Sequence, residues 1–502
     1  MKSGKPLAGP GRISQSERSQ LLEDLSMGAQ NGDTRETLVV CQSNQGMEIR
    51  AALVRLTRLV AVFEIYQTAA VLRTSEVLTD FKILTHDRAI YSGRAIVRSL
   101  VNTGVVAVCE VALDEASWMD VAFASPVDNN GQLSREFEGF MRDWQKLYRI
   151  LPEYKVVIAD MQSFLADLRL WLDQVELGIR SSPTGDRPKL EKDVAIQLQT
   201  SVVPIINELF NRFEEVSLRV DEECRPAHML FGRRQLHPLL LSSPFVYRTY
   251  AKPLGYAGDY EMVNMMFRDP CEGGSLFAKM INAYALQLAP IIAHRNRISY
   301  LRDRLTQEAR RVVQQGRSLR LFNLGCGPAQ EVQQFMAGAT FSDQSEMVLT
   351  DFNDETLAHT TAVLSEARQR YGHRTRIQLV KKTAHQLLKQ SERTVQRPRS
   401  ELYDLIYCAG LFDYLSDKVC RKLMDVFYDM LAPGGTVVTT NVDVHPSRNE
   451  MEYFLEWHLI HRNTEQMKSL APRQANPENI RLVRDPTGVN IFMEITRDGG
   501  EG

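Results

Sequence analysis

The stretch Leu319–Glu331 reads LRLFNLGCGPAQE and decides how the second half of the chain is interpreted. Alternating apolar residues, typical of a strand, run into the turn Gly-Cys-Gly-Pro, and a helical pattern follows. Gly325 and Gly327 have no Cβ, so the backbone can pass close to a ligand there. The stretch therefore predicts a strand, a tight turn and a helix, with a ligand at the turn.

Strands and helices alternate from this stretch to the end of the chain. The strand candidates are LRLFNL, EMVLTD, RIQLVK, LYDLIYC and GGTVVTTNV, followed by IRLVRD and VNIFMEIT around a PTG turn. Helical patterns such as DETLAHTTAVLSEARQRYG lie between them. This order predicts an α/β fold with a doubly wound, Rossmann-like sheet whose last strand is antiparallel. Such sheets bind ligands at the carboxyl ends of their strands.

The glycine turn also limits the class of ligand. Its sequence, Gly-Cys-Gly-Pro-Ala-Gln, does not complete the GxGxxG of dinucleotide enzymes, and no Gly-Lys-Ser/Thr follows, so a pyrophosphate clamp is disfavoured and a P-loop is excluded. Asp351 ends the second strand, where an acid accepts hydrogen bonds from ribose hydroxyls. A ribose acid beside such a turn indicates a nucleoside ligand without phosphates, of which S-adenosylmethionine is the common one.

Four motifs in this half of the chain resemble the class I methyltransferase family. They are NLGCGPAQE, the acid Asp351, LYDLIYCAGLFDYLSD on the fourth strand and LAPGGTVVTTNV leading into the fifth. The resemblance covers about half of the chain, from roughly Ser243 to the end, and implies S-adenosylmethionine as cofactor. The residues that it implies as cofactor contacts are Asn323, Gly325, Cys326, Gly327, Asp351, Phe352, Thr383, Ala384 and Cys408. The family usually has an acid at 323, a third glycine at 329 and an acid at 383, so Asn323, Ala329 and Thr383 depart from its pattern.

A second chemistry-rich stretch, SPFVYRTYAKPLGYAGDYEMVNMMF, precedes this sheet at residues 243–267. Lys252, Tyr256 and Asp259 are the candidate catalytic residues, because Gly255 and Gly258 bracket Tyr256, with Lys252 and Asp259 close by, beside a predicted cofactor crevice. Two interpretations stay open. The loop is either a lid over the site or a packing loop in which Asp259 caps the following helix.

The motif KPLGYAGDYEM, the motif EWHLIHR and the whole layout resemble bacterial methyltransferases that make the quorum signal 3-hydroxypalmitic acid methyl ester. That resemblance implies a bacterial cytoplasmic enzyme that methylates a 3-hydroxy fatty acid carboxylate. A carboxylate is ionised at neutral pH, so it needs a cation and an apolar channel rather than a general base. The candidate cations are Lys252, Arg462 and His458, and the candidate walls are Trp457, Phe412, Tyr414, Met262 and Met266.

The first half of the chain is predicted to contain three further segments. Residues 1–37 have a disordered composition, and residues 38–130 contain short alternating strands that suggest a small antiparallel barrel or sandwich. Residues 131–242 follow the linker-like Ser125–Gln132 and predict a helical hairpin. Three roles stay open for it: a spacer, a surface for a homodimer, or a scaffold for a lid. The methyltransferase-like domain then occupies residues 243–502.

The barrel resembles a degenerate PilZ domain. PilZ modules that bind cyclic di-GMP carry Arg-x-x-x-Arg, whereas Arg55 and Arg58 are three positions apart here. No matching Asp/Asn-x-Ser-x-x-Gly follows. A sensing or docking role is therefore the expectation for the barrel.

Composition excludes several other classes of protein. The 502 residues are 44% hydrophobic and 24% charged with a net charge of −2, which gives no argument for a nucleic-acid partner. No signal peptide or membrane span is evident, and seven cysteines without a CxxC pair favour a reducing cytoplasm. His458 and His461 lack a third ligand, so no metal is expected. Two alternatives stay open: a ligand-sensing regulator that uses this fold only for binding, and a methyltransferase that acts on an amine or a protein.

Overall fold

The computed structural model describes residues 37–119 apart from 45, 66–71, 86–87 and 103–106, the single residues 138 and 141, and residues 150–499 apart from 184, 392–397 and 399–400. The sequence expectations for residues 1–36 and for the linker Ser125–Gln132 lie outside these ranges.

The first described part is a closed antiparallel barrel, as the alternating pattern predicts. Its strands follow the order β1-β2-β3-β6-β5-β4 around the barrel. Inward positions such as Val39, Phe63 and Phe81 are fully buried, while residues between them face outward, because side chains alternate along a strand. The strands are β1 (Leu38–Gln42), β2 (Glu48–Leu56), β3 (Val60–Ile65), β4 (Val77–Thr85), β5 (Arg88–Asn102) and β6 (Ala107–Leu113).

A long helical hairpin follows, made of α1 (Pro152–Ser181) and α2 (Arg187–Ser217). The predicted apolar face of α1 is buried at Val157, Met161 and Leu172, among others. This face belongs to one apolar cluster that also takes in residues of the next helices. Those helices are α3 (Arg225–Leu240), α4 (Pro244–Ala251), α5 (Tyr260–Met265), α6 (Leu276–Ala285) and α7 (Ala289–Gln314).

The last part is a seven-stranded sheet in the order β12-β13-β11-β10-β7-β8-β9. Strands β9, β8, β7, β10 and β11 are parallel, whereas β13 runs antiparallel to both β11 and β12. This is the doubly wound, Rossmann-like sheet with an antiparallel last strand that the sequence predicts. The strands are β7 (Leu319–Leu324), β8 (Ser345–Asp351), β9 (Arg376–Lys381), β10 (Tyr403–Cys408), β11 (Leu431–Val442), β12 (Ile480–Arg484) and β13 (Asn490–Thr496).

Helices connect these strands, and the strand order reverses between β7 and β10, which is where an open α/β sheet forms its ligand crevice. The helices are α8 (Gln330–Gly338), α9 (Asp354–Tyr371), α10 (Ala384–Ser391), α11 (Asp417–Met430), α12 (Arg448–Leu455) and α13 (Thr464–Lys468).

The barrel contacts the sheet domain through the segment between β3 and β4. Ser75 Oγ donates to the carbonyl of His458 at 3.0 Å, and the backbone N–H of Val77 donates to the carbonyl of Gly255 at 2.8 Å. Arg94 of β5 adds an ion pair with Glu456 at 3.3 Å. These contacts bring the barrel to the edge of the crevice.

Among the described residues, no single helix is long and apolar enough to cross a membrane; only α6 and α7 taken together, with a 64° bend between them, reach that length and composition.

Candidate functional site

A cavity opens at the carboxyl ends of β7, β8 and β10, at the reversal of strand order. Five parts of the chain that matter for its chemistry are among those that line it. They are the glycine turn after β7, the residues after β8, the loop after β10, the loop of Tyr256 with helix α7, and the barrel residues Arg73 and Thr74. The sequence predicted some of the lining residues in the first four parts, but it did not predict that Arg73 and Thr74 of the barrel would line the cavity.

The glycine turn has the conformation that its glycines allow. Gly325 and Gly327 have φ values of +80° and +50°, and the N–H groups of Gly325 and Cys326 both donate to the carbonyl of Thr350. A Cβ added at either glycine would meet no atom within 4 Å, so the space above the turn is open. All three residues line the cavity. The turn can therefore take a ligand against its backbone.

Asn323, at the end of β7, has an unused acceptor. Its Nδ2 donates to the carbonyl of Tyr407 at 3.2 Å, while its buried Oδ1 has no partner. A buried oxygen without a donor costs free energy, and a ligand ammonium group would supply that donor. The amide that replaces the usual acid thus still offers an acceptor to the cavity.

Asp351 and Phe352 lie on the other side of the turn. Asp351 is 6% exposed and accepts hydrogen bonds from the N–H groups of Gly327 at 3.2 Å and Asn353 at 3.1 Å. Burial raises the pKa of this carboxyl, and the two backbone donors and Arg73 oppose that rise. The Phe352 ring is flanked by the Tyr256 ring at 4.9 Å and by the Arg73 guanidinium at 4.6 Å.

Two of the nine predicted cofactor contacts are not among the residues that line the cavity. Thr383 accepts a hydrogen bond from the N–H of Gln386 in the first turn of α10, and Cys408 is fully buried in the apolar cluster under the sheet. The neighbouring Ala384 does line the cavity, as does Lys382.

Of the three catalytic candidates in the loop before α5, only Tyr256 lines the cavity. Tyr256 lines the cavity, and its hydroxyl is 3.4 Å from Thr356 Oγ1. Asp259 is not among the lining residues; it caps α5 by accepting the N–H of Met262 at 2.8 Å and pairs with Arg248 at 3.0 Å. The capping alternative is therefore the one with an observed contact. Whether the loop closes as a lid stays a prediction.

Lys252 is buried and hydrogen-bonded within the protein. Its Nζ donates to the carbonyl of Leu455 at 2.7 Å, and burial lowers its pKa to about 7. It is not among the residues that line the cavity.

The other two predicted cations also lie apart from the cavity lining. The Arg462 guanidinium donates to the carbonyls of Phe412 and Leu415, and burial lowers the pKa of His458 to about 3, so its imidazole is neutral at neutral pH. Of the predicted walls, Trp457, Tyr414 and Met266 line the cavity, whereas Phe412 and Met262 are buried in apolar clusters.

Instead, two other arginines line the cavity. Arg73 is 6% exposed and Arg297, on α7, is 8% exposed. The Nε atoms of both are buried without a hydrogen-bond partner. His294 and Arg297 are three residues apart, so the sequence predicts that they share a face of a helix. Nothing in the sequence around Arg73 indicates that it lines the cavity.

Acids also line the cavity, and each has a protein partner. Glu331 accepts from the Tyr407 hydroxyl at 2.7 Å, and Asp413 accepts from the N–H of Val442 at 2.7 Å. Burial raises the pKa of both carboxyls.

A scan against protein-family models and a search of curated proteins found no match. Solved structures with similarity to the chain include a possible exported protein from Bordetella parapertussis, at 18% identity and TM-score 0.39, covering 51% of this chain and 86% of that one. Magnesium protoporphyrin IX methyltransferase from Synechocystis, with bound SAH, has 7% identity and TM-score 0.29 and covers 41% and 85%. The N-methyltransferase NodS from Bradyrhizobium japonicum has 16% identity and TM-score 0.25 and covers 39% and 96%. The fold assignment rests on the strand order and not on these similarities.

Proposed function

We propose that the chain is an S-adenosylmethionine-dependent methyltransferase whose acceptor is a carboxylate, with a 3-hydroxy fatty acid as the specific candidate. The observation that carries the proposal is the arrangement across the crevice. A carboxylate at the end of β8, Asp351, and an unsatisfied acceptor, Asn323 Oδ1, flank a glycine turn with open space above it. That set fits a nucleoside with an amino-bearing tail and no phosphate.

The cofactor fits these residues in a definite order. Asp351 would accept hydrogen bonds from the ribose hydroxyls, the glycine turn would pass beneath the tail, and Asn323 would accept a hydrogen bond from its ammonium group. Phe352 and Ala384 line the cavity after the ends of β8 and β9 and would flank the base. When bound, S-adenosylmethionine supplies an electrophilic methyl group.

The protein itself has to hold the acceptor oxygen in line with the methyl–sulfur bond and to exclude water from the reacting groups. An ionised carboxylate attacks without losing a proton, so no general base is required; the methyl–sulfur bond breaks as the methyl–oxygen bond forms. Arg73 offers the acceptor a cation, since its guanidinium is buried above Phe352 with an unpartnered Nε. Tyr414, Trp457 and Met266 supply apolar wall.

An amine or protein acceptor is the competing hypothesis, together with a purely ligand-sensing role. An amine must lose a proton, and Glu331, whose carboxyl has a pKa raised by burial, is the lining residue that could take it. A sensing role requires binding without turnover.

The decisive experiment has two stages. Calorimetry with S-adenosylhomocysteine, ATP and NAD on the full chain should show heat only with the first. Incubation with methyl-labelled S-adenosylmethionine and fractionated bacterial lipids, followed by mass spectrometry, should then show a labelled methyl ester. Label in an amine or a protein would show that the acceptor is not a carboxylate, and binding without any labelled product would favour sensing.

A further inference from the structure

Helix α7 contributes two titratable side chains to the cavity lining, His294 and Arg297, one helical turn apart. Arg297 Nη2 is 2.9 Å from His294 Nε2 and 3.1 Å from Nδ1. Burial and the adjacent arginines lower the pKa of His294, so the imidazole is neutral, and one of its two ring nitrogens can accept a hydrogen bond from Arg297 Nη2. His294 thereby orients Arg297.

The Arg297 guanidinium has no anionic partner. Its Nε has no hydrogen bond, and over the ranges the structure describes no carboxylate lies within ion-pairing distance of it. The two acids whose charges act on Arg297, Asp413 and Glu331, already accept hydrogen bonds from Val442 and Tyr407. A buried charge without a partner is costly, so its retention points to a ligand that neutralises it.

Room for the guanidinium depends on Gly410, in the loop after β10. A Cβ at Gly410 would lie 2.8 Å from both Nη atoms of Arg297, closer than Cβ atoms approach other atoms. The φ of Gly410 is +82°, which also favours glycine. The residue that packs against the guanidinium at the cavity is thus a glycine, which has no side chain to displace it.

The position of Arg297 relative to Asp351 and Asn323 indicates the chemistry of the ligand. Strand β7 lies between β8, which Asp351 ends, and β10, which leads to Gly410. Two strand spacings amount to roughly 10 Å, and the unpartnered Asn323 Oδ1 lies at the end of the strand in between. A ribose at Asp351 with an ammonium at Asn323 would bring a carboxylate on the same tail towards Arg297.

We propose that Arg297, oriented by His294 and accommodated by Gly410, is a carboxylate-binding site in the half of the cavity next to β10. This proposal adds a carboxylate-binding residue to the proposed function, and the identity of its ligand rests on that function. The carboxylate comes either from the amino-acid tail of the cofactor or from the acceptor. Arginine suits both, because its planar fork binds a carboxylate through two parallel hydrogen bonds.

The test compares Arg297→Met and Arg297→Lys with Arg302→Met, on the full chain. Arg302 is the matched control: it lies on the same helix, but it is 38% exposed and pairs with Asp303. The probes for calorimetry are S-adenosylhomocysteine, 5′-methylthioadenosine, which lacks the amino-acid tail, and 3-hydroxyhexadecanoate.

If the cofactor supplies the carboxylate, Arg297→Met should weaken S-adenosylhomocysteine binding by about 10- to 100-fold and leave 5′-methylthioadenosine within twofold. Arg297→Lys should fall in between, and Arg302→Met should match the wild type. If the acceptor supplies it, only 3-hydroxyhexadecanoate binding should fall. Unchanged binding of all three probes in a folded Arg297→Met protein would refute the site.

Melting temperature separates a binding role from a structural one. Without ligand, Arg297→Met should melt at or above the wild-type temperature, because the variant removes an unpaired buried charge. A large loss of melting temperature in both Arg297→Met and Arg297→Lys would mean that the guanidinium holds the fold, and would refute the proposal. A wild-type protein that binds 3-hydroxyhexadecanoate through Arg297 but no S-adenosylhomocysteine would defeat the proposed function and keep the carboxylate site.

Discussion

Replacing Asp351 with Asn tests the cofactor assignment most directly. The two carboxylate oxygens each already accept one backbone N–H, from Gly327 and Asn353, and the remaining lone pairs face the cavity. Asparagine keeps one of these oxygens and turns the other into a donor. The variant should therefore lose about one charge-assisted hydrogen bond to a ribose hydroxyl, or roughly 1.5–3 kcal/mol. In affinity this is about a 10- to 150-fold increase in Kd.

The assay is calorimetric titration of S-adenosylhomocysteine into the wild type, Asp351→Asn and Asp354→Asn, with a melting curve for each protein. Asp354 is the matched control, because its carboxylate is 76% exposed and pairs with Lys381 a few residues from the site. Its Kd should stay within twofold of the wild type. An Asp351→Asn protein that melts normally and binds equally well would show that the ribose does not lie at the end of β8, and the order of ligand groups across the crevice would have to be abandoned.

Three further predictions concern the barrel, the loop and the pH dependence. Arg73→Met should lower methyl transfer at least tenfold while Arg58→Met, at an exposed barrel arginine, leaves it unchanged; equal rates in a single-turnover assay would remove the barrel from the site. Tyr256→Ala should reduce turnover much more than S-adenosylhomocysteine affinity, because positioning matters mainly in the transition state, and normal turnover would leave the segment as a packing loop. Burial lowers the pKa of His445 to about 3, so unfolding takes up a proton below pH 6.5 and stability falls as the pH falls from 6.5 towards 3. His445→Gln should therefore lose roughly 2 kcal/mol less stability than the wild type between pH 6.5 and 5, measured by urea unfolding, and identical losses would contradict a buried neutral imidazole.

The features that could be predicted from the sequence are those that depend on residues close to one another in the chain. The alternation of LRLFNL and its glycine turn predicts β7 and the crevice beside it, and Asp351 follows from counting one βα unit further on. The spacing of Val157, Met161 and Leu172 likewise predicts the buried face of α1. Such signals succeed because strand and helix periods, turns and caps depend on chain geometry over a few residues.

The roles of the charged residues could not be predicted in this way. Lys252, Arg462 and His458 look like ligand cations in the sequence, yet the first two donate to backbone carbonyls and the third is buried and neutral. Arg73 and Arg297 look like ordinary surface arginines, yet they are the two that line the cavity.

The sequence by itself thus determines the sheet, the glycine turn and the position of Asp351 at the end of β8, since each depends on local periodicity and on the order of βα units. Only the tertiary structure decides which cations face the cavity and that a barrel segment near residue 73 meets the end of β8, nearly three hundred residues later. The physical reason is that the environment of a charge depends on which partners are packed around it. Those partners come from segments far apart in the chain, so no local pattern records whether a guanidinium is satisfied by backbone carbonyls or left for a ligand.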